Sequence, residues 1–324
     1  MGRITKVEYV HHTFSPWHGC AKKSSGCRFC FAADSARRWG QADLWRRHGP
    51  RRIVSEHQWG EPVRWNEEAR QEGARHRVLN GTMCDVFEDH PAVTGTRARL
   101  FTVIEATPWL LWFPFTKRPE NVPGMVPWSD DWPENVGLTA SVENQEAADE
   151  RIPLLNATSA RLLCLSVEPL IGRIDFSRHD LSRIGWAIIG GESGAHARPM
   201  HPQWARDAYQ QLTEARIPVW YKQWGTWGPA EWAVTRHPSE PLADYKTRAG
   251  KTAATHLYSI NADQDCHRRI EAPPAWNRDS ASPPPTHLAP LRRWGKGKAG
   301  HLLDGAEIQE LPEAAYRIPE GRAA

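Results

Sequence analysis

Long apolar runs are missing from this 324-residue chain, so no segment is expected to span a bilayer. The first residues, MGRITKVEYVHH, lack the apolar core of a signal peptide. Cysteine is scarce: six residues, three of them clustered, are a poor basis for a disulfide-built secreted scaffold and point to a reducing, cytoplasmic setting. A large charge surplus is absent too, since a formal net charge of +3 does not by itself imply a nucleic-acid partner. The length does suffice for a large buried core, as one α/β domain or as such a domain with an appendage.

The three clustered cysteines lie in FSPWHGCAKKSSGCRFCFAAD, where Cys20, Cys27 and Cys30 follow a Cys-x6-Cys-x2-Cys pattern among Gly19, Gly26 and the Ser24-Ser25 pair. Three thiolates on a glycine-bearing loop can converge on one metal centre and turn backbone N–H groups toward its negative charge. A closed structural zinc site wants four ligands, whereas an iron–sulfur cluster held by three cysteines leaves one iron open. Zinc stays open as an alternative, with His11, His12 or His18 as fourth ligand, although no histidine stands at a zinc-finger spacing. A disulfide fits poorly, because pairing two of three cysteines leaves a reactive thiol.

Apolar runs alternate with helical stretches, the signature of parallel β/α units. Strands are expected at Lys6–Thr13, Arg77–Met83, Trp109–Phe115, Val136–Val142, Arg161–Val167, Trp186–Ile189 and Pro218–Tyr221. Helices are expected from Phe31 to about Arg47, across Thr94–Glu105, after the fourth strand, and across Pro202–Ala215, where Trp204, Ala208 and Leu212 recur every four residues. The segment 49–75 reads as a polar excursion with a short helix near Asn66–Glu72. The expected fold class is α/β, a partial or complete parallel β/α barrel over residues 1–225. Residues 226–324 read as a Pro-rich irregular extension, with APPAW, SPPPTH and the surface pair Cys266-His267, ending in a basic segment with Arg292, Arg293, Lys296 and Lys298.

Each strand delivers a polar or metal-binding residue at its C-terminal end: the cysteines, Asp85, Lys117, Glu143, Glu168, Glu192, then Lys222 and Gln223. In a β/α barrel those ends form one face, the face that carries active sites. Loops are polar anyway, which accounts for part of this pattern. It accounts less well for the carboxylates of SVEN, SVEP and GGES directly behind apolar runs, where a buried charge needs a partner. A structural ion-pair network among these Lys and Glu residues is the alternative to a catalytic role.

In PWHGCAKKSSGCRFCFA, GTMCDVFED, FTKRPENV, SVENQEAADERIPLL, SVEPLIG, IIGGESGAHARPMHPQW, YKQWG and GKGKAGHLLDG, taken in that order, the chain resembles the phage-associated three-cysteine-motif family of uncharacterised radical-SAM-like proteins. The resemblance covers nearly the whole chain. It departs locally: Phe31 and Ala33 stand where the family usually has Tyr and Glu, and Cys84 stands where it usually has Ser, which makes Cys84 a candidate to face the site. The cysteine spacing also differs from the Cys-x3-Cys-x2-Cys typical of the radical SAM superfamily.

The resemblance implies a radical S-adenosylmethionine enzyme of the TIM-barrel-like type. A [4Fe–4S] cluster on Cys20, Cys27 and Cys30 would bind S-adenosylmethionine at its open iron and, with an electron donor, yield a 5′-deoxyadenosyl radical. By position, Thr82 and Asp85 suit the methionine end of the cofactor, and Ser141 and Glu143 its ribose hydroxyls. Gly190-Gly191-Glu192 resembles a GGE motif that holds the methionine amino group, although here it follows the sixth strand rather than the second. Lys117, Glu168, Glu192, Lys222 and Gln223 would face the substrate as catalytic candidates. The family's phage setting makes nucleic acid or a nucleotide the candidate substrate. From another class comes the alternative of a zinc-stabilised, non-catalytic nucleic-acid-binding protein that works through Arg37, Arg38, Arg46, Arg47, Arg51, Arg52, Trp39 and Trp45 together with the C-terminal basic run of Arg292, Arg293, Lys296 and Lys298.

Overall fold

The computed structural model describes residues 5, 7–229, 256–260, 267–270, 288–293 and 300–319. Its centre is a seven-stranded sheet of β1 (His12–Phe14), β2 (His76–Asn80), β3 (Leu110–Thr116), β4 (Gly137–Ser141), β5 (Leu162–Val167), β6 (Ile184–Gly190) and β7 (Val219–Gln223). Spatial order equals chain order and every pairing is parallel, as successive β/α crossovers of one hand require. The strands read as near-continuous apolar runs because both faces are covered; β3, LLWFPFT, is buried at six of its seven positions.

The helices longer than a single turn are α1 (Phe31–Arg38), α2 (Glu56–Glu72), α3 (Thr94–Glu105), α4 (Gln145–Asn156) and α5 (Pro202–Glu214). Trp59 and Trp65 of α2, Leu100 and Ile104 of α3, Ile152 and Leu155 of α4, and Trp204 and Leu212 of α5 join the larger core with the outward side chains of the strands. A second core collects Leu79, Leu111, Phe113, Cys164, Trp186, Ile188 and Trp220 from the other face. Tyr9 packs edge-on against both Trp186 and Trp220, at 5.8 and 6.1 Å between ring centroids. Residues before β1 thus meet β6 and β7 across the concave side, and the sheet is a curled half-barrel.

All seven expected strands are present, displaced by at most a few residues except at the first, whose ladder begins only at His12. Two helices differ from expectation. The first stops at Arg38, because Gly40 takes a left-handed φ of +69° and Ala42–Trp45 forms a 3-10 turn instead. The second occupies Glu56–Glu72, far more than the short piece expected. Gly60 and Pro62 hide it in the sequence, but buried Trp59, Pro62, Trp65 and Ala69 give it one face to dock, and Gly73 at φ +67° ends it.

The extension is less irregular than its composition implies. Trp227–Pro229, His256–Ile260, His267–Ile270 and Leu288–Arg293 pair as a four-stranded antiparallel sheet. Cys266, Lys296 and Lys298 lie outside the described residues. The chain then returns to the half-barrel: the Tyr221 N–H donates to the Ile308 carbonyl at 2.9 Å and the Glu310 N–H to the Val219 carbonyl at 3.0 Å, which covers the edge of β7. No helix among the described residues is long and apolar enough to cross a membrane.

Candidate functional site

The loop between β1 and α1 crosses the C-terminal ends of the neighbouring strands and is tied to several of them. After β2, the Met83 carbonyl accepts from the Gly19 N–H at 3.0 Å and Glu88 Oε1 from the Ala21 N–H at 2.6 Å. After β3, Arg118 Nη2 donates to the Ala21 carbonyl at 2.7 Å. In the same connection Glu120 meets Lys23 Nζ at 2.8 Å, and after β4 Glu143 Oε1 accepts from Ser24 Oγ at 2.8 Å while Glu150 meets Lys23 Nζ at 3.0 Å. After β6, Arg198 Nη2 donates to the Ser25 carbonyl at 3.1 Å. Gly26 permits the closest of these approaches, since a Cβ there would stand 2.3 Å from Glu143 Oε1.

Cys20, Cys27 and Cys30 sit on this loop as free, half-buried thiols. Burial pushes the Cys20 thiol up and Asp85 adds to that, while Arg118, with Nη1 3.8 Å from the sulfur, pulls the other way. Cys27 Sγ accepts from the Lys23 N–H at 3.5 Å. Cys30 caps α1; burial raises its thiol, opposed by the N–H groups of Ala33 and Ala32 and, more weakly, by Lys117. Arg118 at Cys20, the Lys23 N–H at Cys27, and the Ala32 and Ala33 N–H groups with Lys117 at Cys30 are the groups that oppose thiolate charge, and burial outweighs them at Cys20 and Cys30. Among the described residues no three His, Cys, Asp or Glu side chains converge tightly enough to hold a single metal ion.

The carboxylates at the strand ends are engaged by the protein itself. Asp85 accepts from Phe87 N and Thr116 Oγ1 on Oδ1, and from Lys117 N and Arg118 Nη1 on Oδ2, all between 2.7 and 3.1 Å. Glu143 has no exposed side-chain surface; Lys117 Nζ is 2.9 Å from Oε1 and Arg151 Nη1 2.7 Å from Oε2. Burial raises this carboxyl, and Lys117 and Arg151 outweigh it, leaving it below its ordinary value. The same Arg151 Nη1 donates to the Ser141 carbonyl at 2.7 Å. Glu192 receives the Arg198 guanidinium at 2.6 and 2.9 Å and its N–H at 2.8 Å.

A second pair lies toward the concave side. Lys222 Nζ meets Glu168 Oε1 at 2.6 Å and stands 5.7 Å above the Tyr9 ring. Burial lowers the Lys222 ammonium, but Glu168 and Tyr9 outweigh it, so it is held above its ordinary range; burial also pushes Tyr9 up to about 12. Gln223 Nε2 donates to Ser193 Oγ at 2.9 Å. Gly190 and Gly191 serve close packing: a Cβ on Gly190 would meet Glu168 at 3.3 Å, and one on Gly191 would lie 2.0 Å from the Trp224 carbonyl oxygen.

Of the residues singled out in the sequence, Glu143 stands directly against the cysteine loop, Asp85 and Glu192 reach it through Arg118 and Arg198, and Lys117 pairs with Glu143. Glu168, Lys222 and Tyr9 form their own group. Thr82 is exposed at the rim, its hydroxyl 3.1 Å from Ser15 Oγ. Cys84 is buried with Trp17 and Val93. The ion pairs anticipated as the structural alternative are present, as Lys117–Glu143 and Lys222–Glu168. Arg118, Arg151, Arg198 and Glu88 were not legible as site residues, and Arg51, read as part of an arginine and tryptophan surface, is instead buried against Glu88. Arg118 and Arg198 lie inside FTKRPENV and IIGGESGAHARPM, and the need of a buried carboxylate for a cation is the signal that points to them. Glu88 and Arg51, 37 residues apart and paired at 2.7 and 2.8 Å, carry no local signal.

No curated protein and no solved structure matches the chain. A family model described as "Protein of unknown function (DUF5131)" matches residues 4–312, nearly the full length, and the chain belongs to that family.

Proposed function

We propose that the chain is a radical S-adenosylmethionine enzyme in which Cys20, Cys27 and Cys30 hold a [4Fe–4S] cluster. The observation that carries this reading is the clamping of a three-thiol loop onto the C-terminal strand ends of a parallel half-barrel by Glu88, Arg118, Glu143 and Arg198. Such a group, once bound with S-adenosylmethionine and reduced by an external donor, supplies carbon–sulfur cleavage to a 5′-deoxyadenosyl radical.

The chain's own residues have separable tasks. Lys117 and Arg118 offset the negative charge that three thiolates bring to the loop. Asp85 and Glu143 hold those two cations in place. Thr82, exposed beside Ser15, and Ser141, at the end of β4, are the polar groups assigned to the cofactor. Lys222 stays protonated against Glu168 and is the group assigned to orient substrate. Fully buried Trp186 packs against Phe113 and against Tyr9, the ring over which Lys222 stands.

Metal content tests the reading. Anaerobic reconstitution with iron and sulfide should give about four irons per chain, and replacing Cys20, Cys27 or Cys30 with Ala should abolish assembly while Cys164→Ala leaves it unchanged. Full iron content in Cys27→Ala, or zinc retained in place of iron, overturns it.

A further inference from the structure

Charge along the chain is unevenly spread. Residues 28–52 contain seven arginines, two aspartates and neither lysine nor glutamate, against a formal net charge of only +3 for the whole chain. One of the seven, Arg51, is buried on Glu88. Arg28, Arg37, Arg38, Arg46, Arg47 and Arg52 are exposed. The two aspartates pair with Arg37 and Arg46 at 3.0 Å, but these are surface pairs of the kind that contribute little and are readily exchanged for another anion.

The same lobe carries the most exposed large apolar side chain of the described residues. Trp39 is 80 % exposed at the C-terminal cap of α1, while Trp17, Trp59, Trp65, Trp112, Trp186 and Trp224 are buried. The lobe is also firmly built. The N–H groups of Trp39 and Gln41 both donate to the Ala36 carbonyl, at 3.0 and 2.8 Å, which turns Ala42–Trp45 back on α1. Arg51 Nη1 donates to the carbonyls of Leu44, Gly49 and Pro50 at 3.1, 2.8 and 3.1 Å and so gathers the loop that presents Arg46 and Arg47. An aromatic face among pre-positioned guanidinium groups, on a framework that needs no ordering, is the composition of a single-strand platform: bases stack on the ring and phosphates meet the arginines.

We infer that residues 28–52 form a binding surface for single-stranded nucleic acid, with Trp39 as the stacking residue and Arg37, Arg38, Arg46 and Arg47 as phosphate contacts. Duplex is the poorer ligand, because its base faces are covered and Trp39 has nothing to stack on. The inference stands on exposed side chains alone and does not require the cluster.

Fluorescence anisotropy of the full chain with a labelled single-stranded oligonucleotide, titrated across salt, tests it. Each arginine that neutralises a phosphate contributes about 0.7 to the log–log salt slope, so Arg37→Gln/Arg38→Gln/Arg46→Gln/Arg47→Gln should flatten the slope by up to about 3. Trp39→Ala should weaken binding by roughly fivefold to 150-fold with the slope unchanged, and Trp39→Phe should retain most of the affinity. All five positions are exposed, and equal melting temperatures verify that the variants fold. Absence of salt-dependent binding, equal affinity for duplex, equal or tighter binding to vesicles rich in phosphatidylserine, or unchanged affinity in Trp39→Ala would each overturn the inference.

Discussion

Lys117 Nζ meets Glu143 Oε1 at 2.9 Å beneath the cysteine loop, and Ser24 Oγ donates to the same oxygen at 2.8 Å. One buried carboxylate thereby joins the end of β3, the middle of α4 through Arg151, and the loop itself. Taking Glu143 away removes the buried carboxylate between half-buried Lys117 and fully buried Arg151. Glu143→Ala should lower the free energy of unfolding by about 3–5 kcal/mol, and Glu143→Gln, which keeps the shape, by less. Urea denaturation measures both; a Glu143→Ala chain as stable as wild type would deny this residue its role as anchor.

Gly26 is the counterpart of that anchor on the loop. A methyl group there would need the space of Glu143 Oε1, 2.3 Å from the ideal Cβ, and fully buried Glu143 has nowhere to retreat. Gly26→Ala should cost about 1–3 kcal/mol, the usual range for overpacking, and amide hydrogen exchange across residues 19–30 should accelerate. Unchanged exchange would show that the loop does not rest on Glu143.

The sheet was legible because a strand covered on both faces must be apolar throughout, and β3 through β6 announce themselves that way. Lys117, Glu143, Glu168 and Lys222 were legible for the opposite reason, as charges placed directly behind such runs. Helix α2 was not, since its Pro62 and Gly60 oppose a helix locally while the docking of Trp59 and Trp65 overrides them. Nor was the return of residues 308–310 to the edge of β7, which rests on backbone hydrogen bonds that leave no mark on side-chain pattern. Arg51 and Glu88 belong to the same class, because a pairing across 37 residues has no period.

That pair gives a double-mutant prediction. Arg51 has no exposed side-chain surface and Glu88 only 3 %, so Arg51→Met strands a buried carboxylate and should cost about 3–5 kcal/mol. Glu88→Gln in the same chain should recover part of that loss, though not the carbonyl bonds of Arg51. A strictly additive double mutant, measured by chemical denaturation, would mean the two residues do not stabilise one another.

His201 supplies a pH signature. Its Nδ1 accepts the Gln203 N–H at 2.9 Å as the cap of α5, and burial lowers its imidazolium from 6.5 to about 4. Between those values the unfolded chain binds the proton and the folded chain does not, so stability is full above pH 6.5 and is lost as the pH falls to about 4. The loss amounts to at most about 3 kcal/mol. His201→Asn keeps a capping acceptor and removes the titration, so its stability profile should be flatter over that window. An unaltered slope between pH 6.5 and 4 would assign the acid sensitivity to other groups.

The most direct measurement of the central claim is electron paramagnetic resonance of the reconstituted, dithionite-reduced chain, recorded with and without S-adenosylmethionine, with the products analysed for 5′-deoxyadenosine. A cluster held by Cys20, Cys27 and Cys30 with its fourth iron open should give a signal that shifts when the cofactor is added, followed by slow release of 5′-deoxyadenosine, and neither should occur in Cys27→Ala. A cluster signal indifferent to saturating cofactor, with no 5′-deoxyadenosine formed, would contradict it.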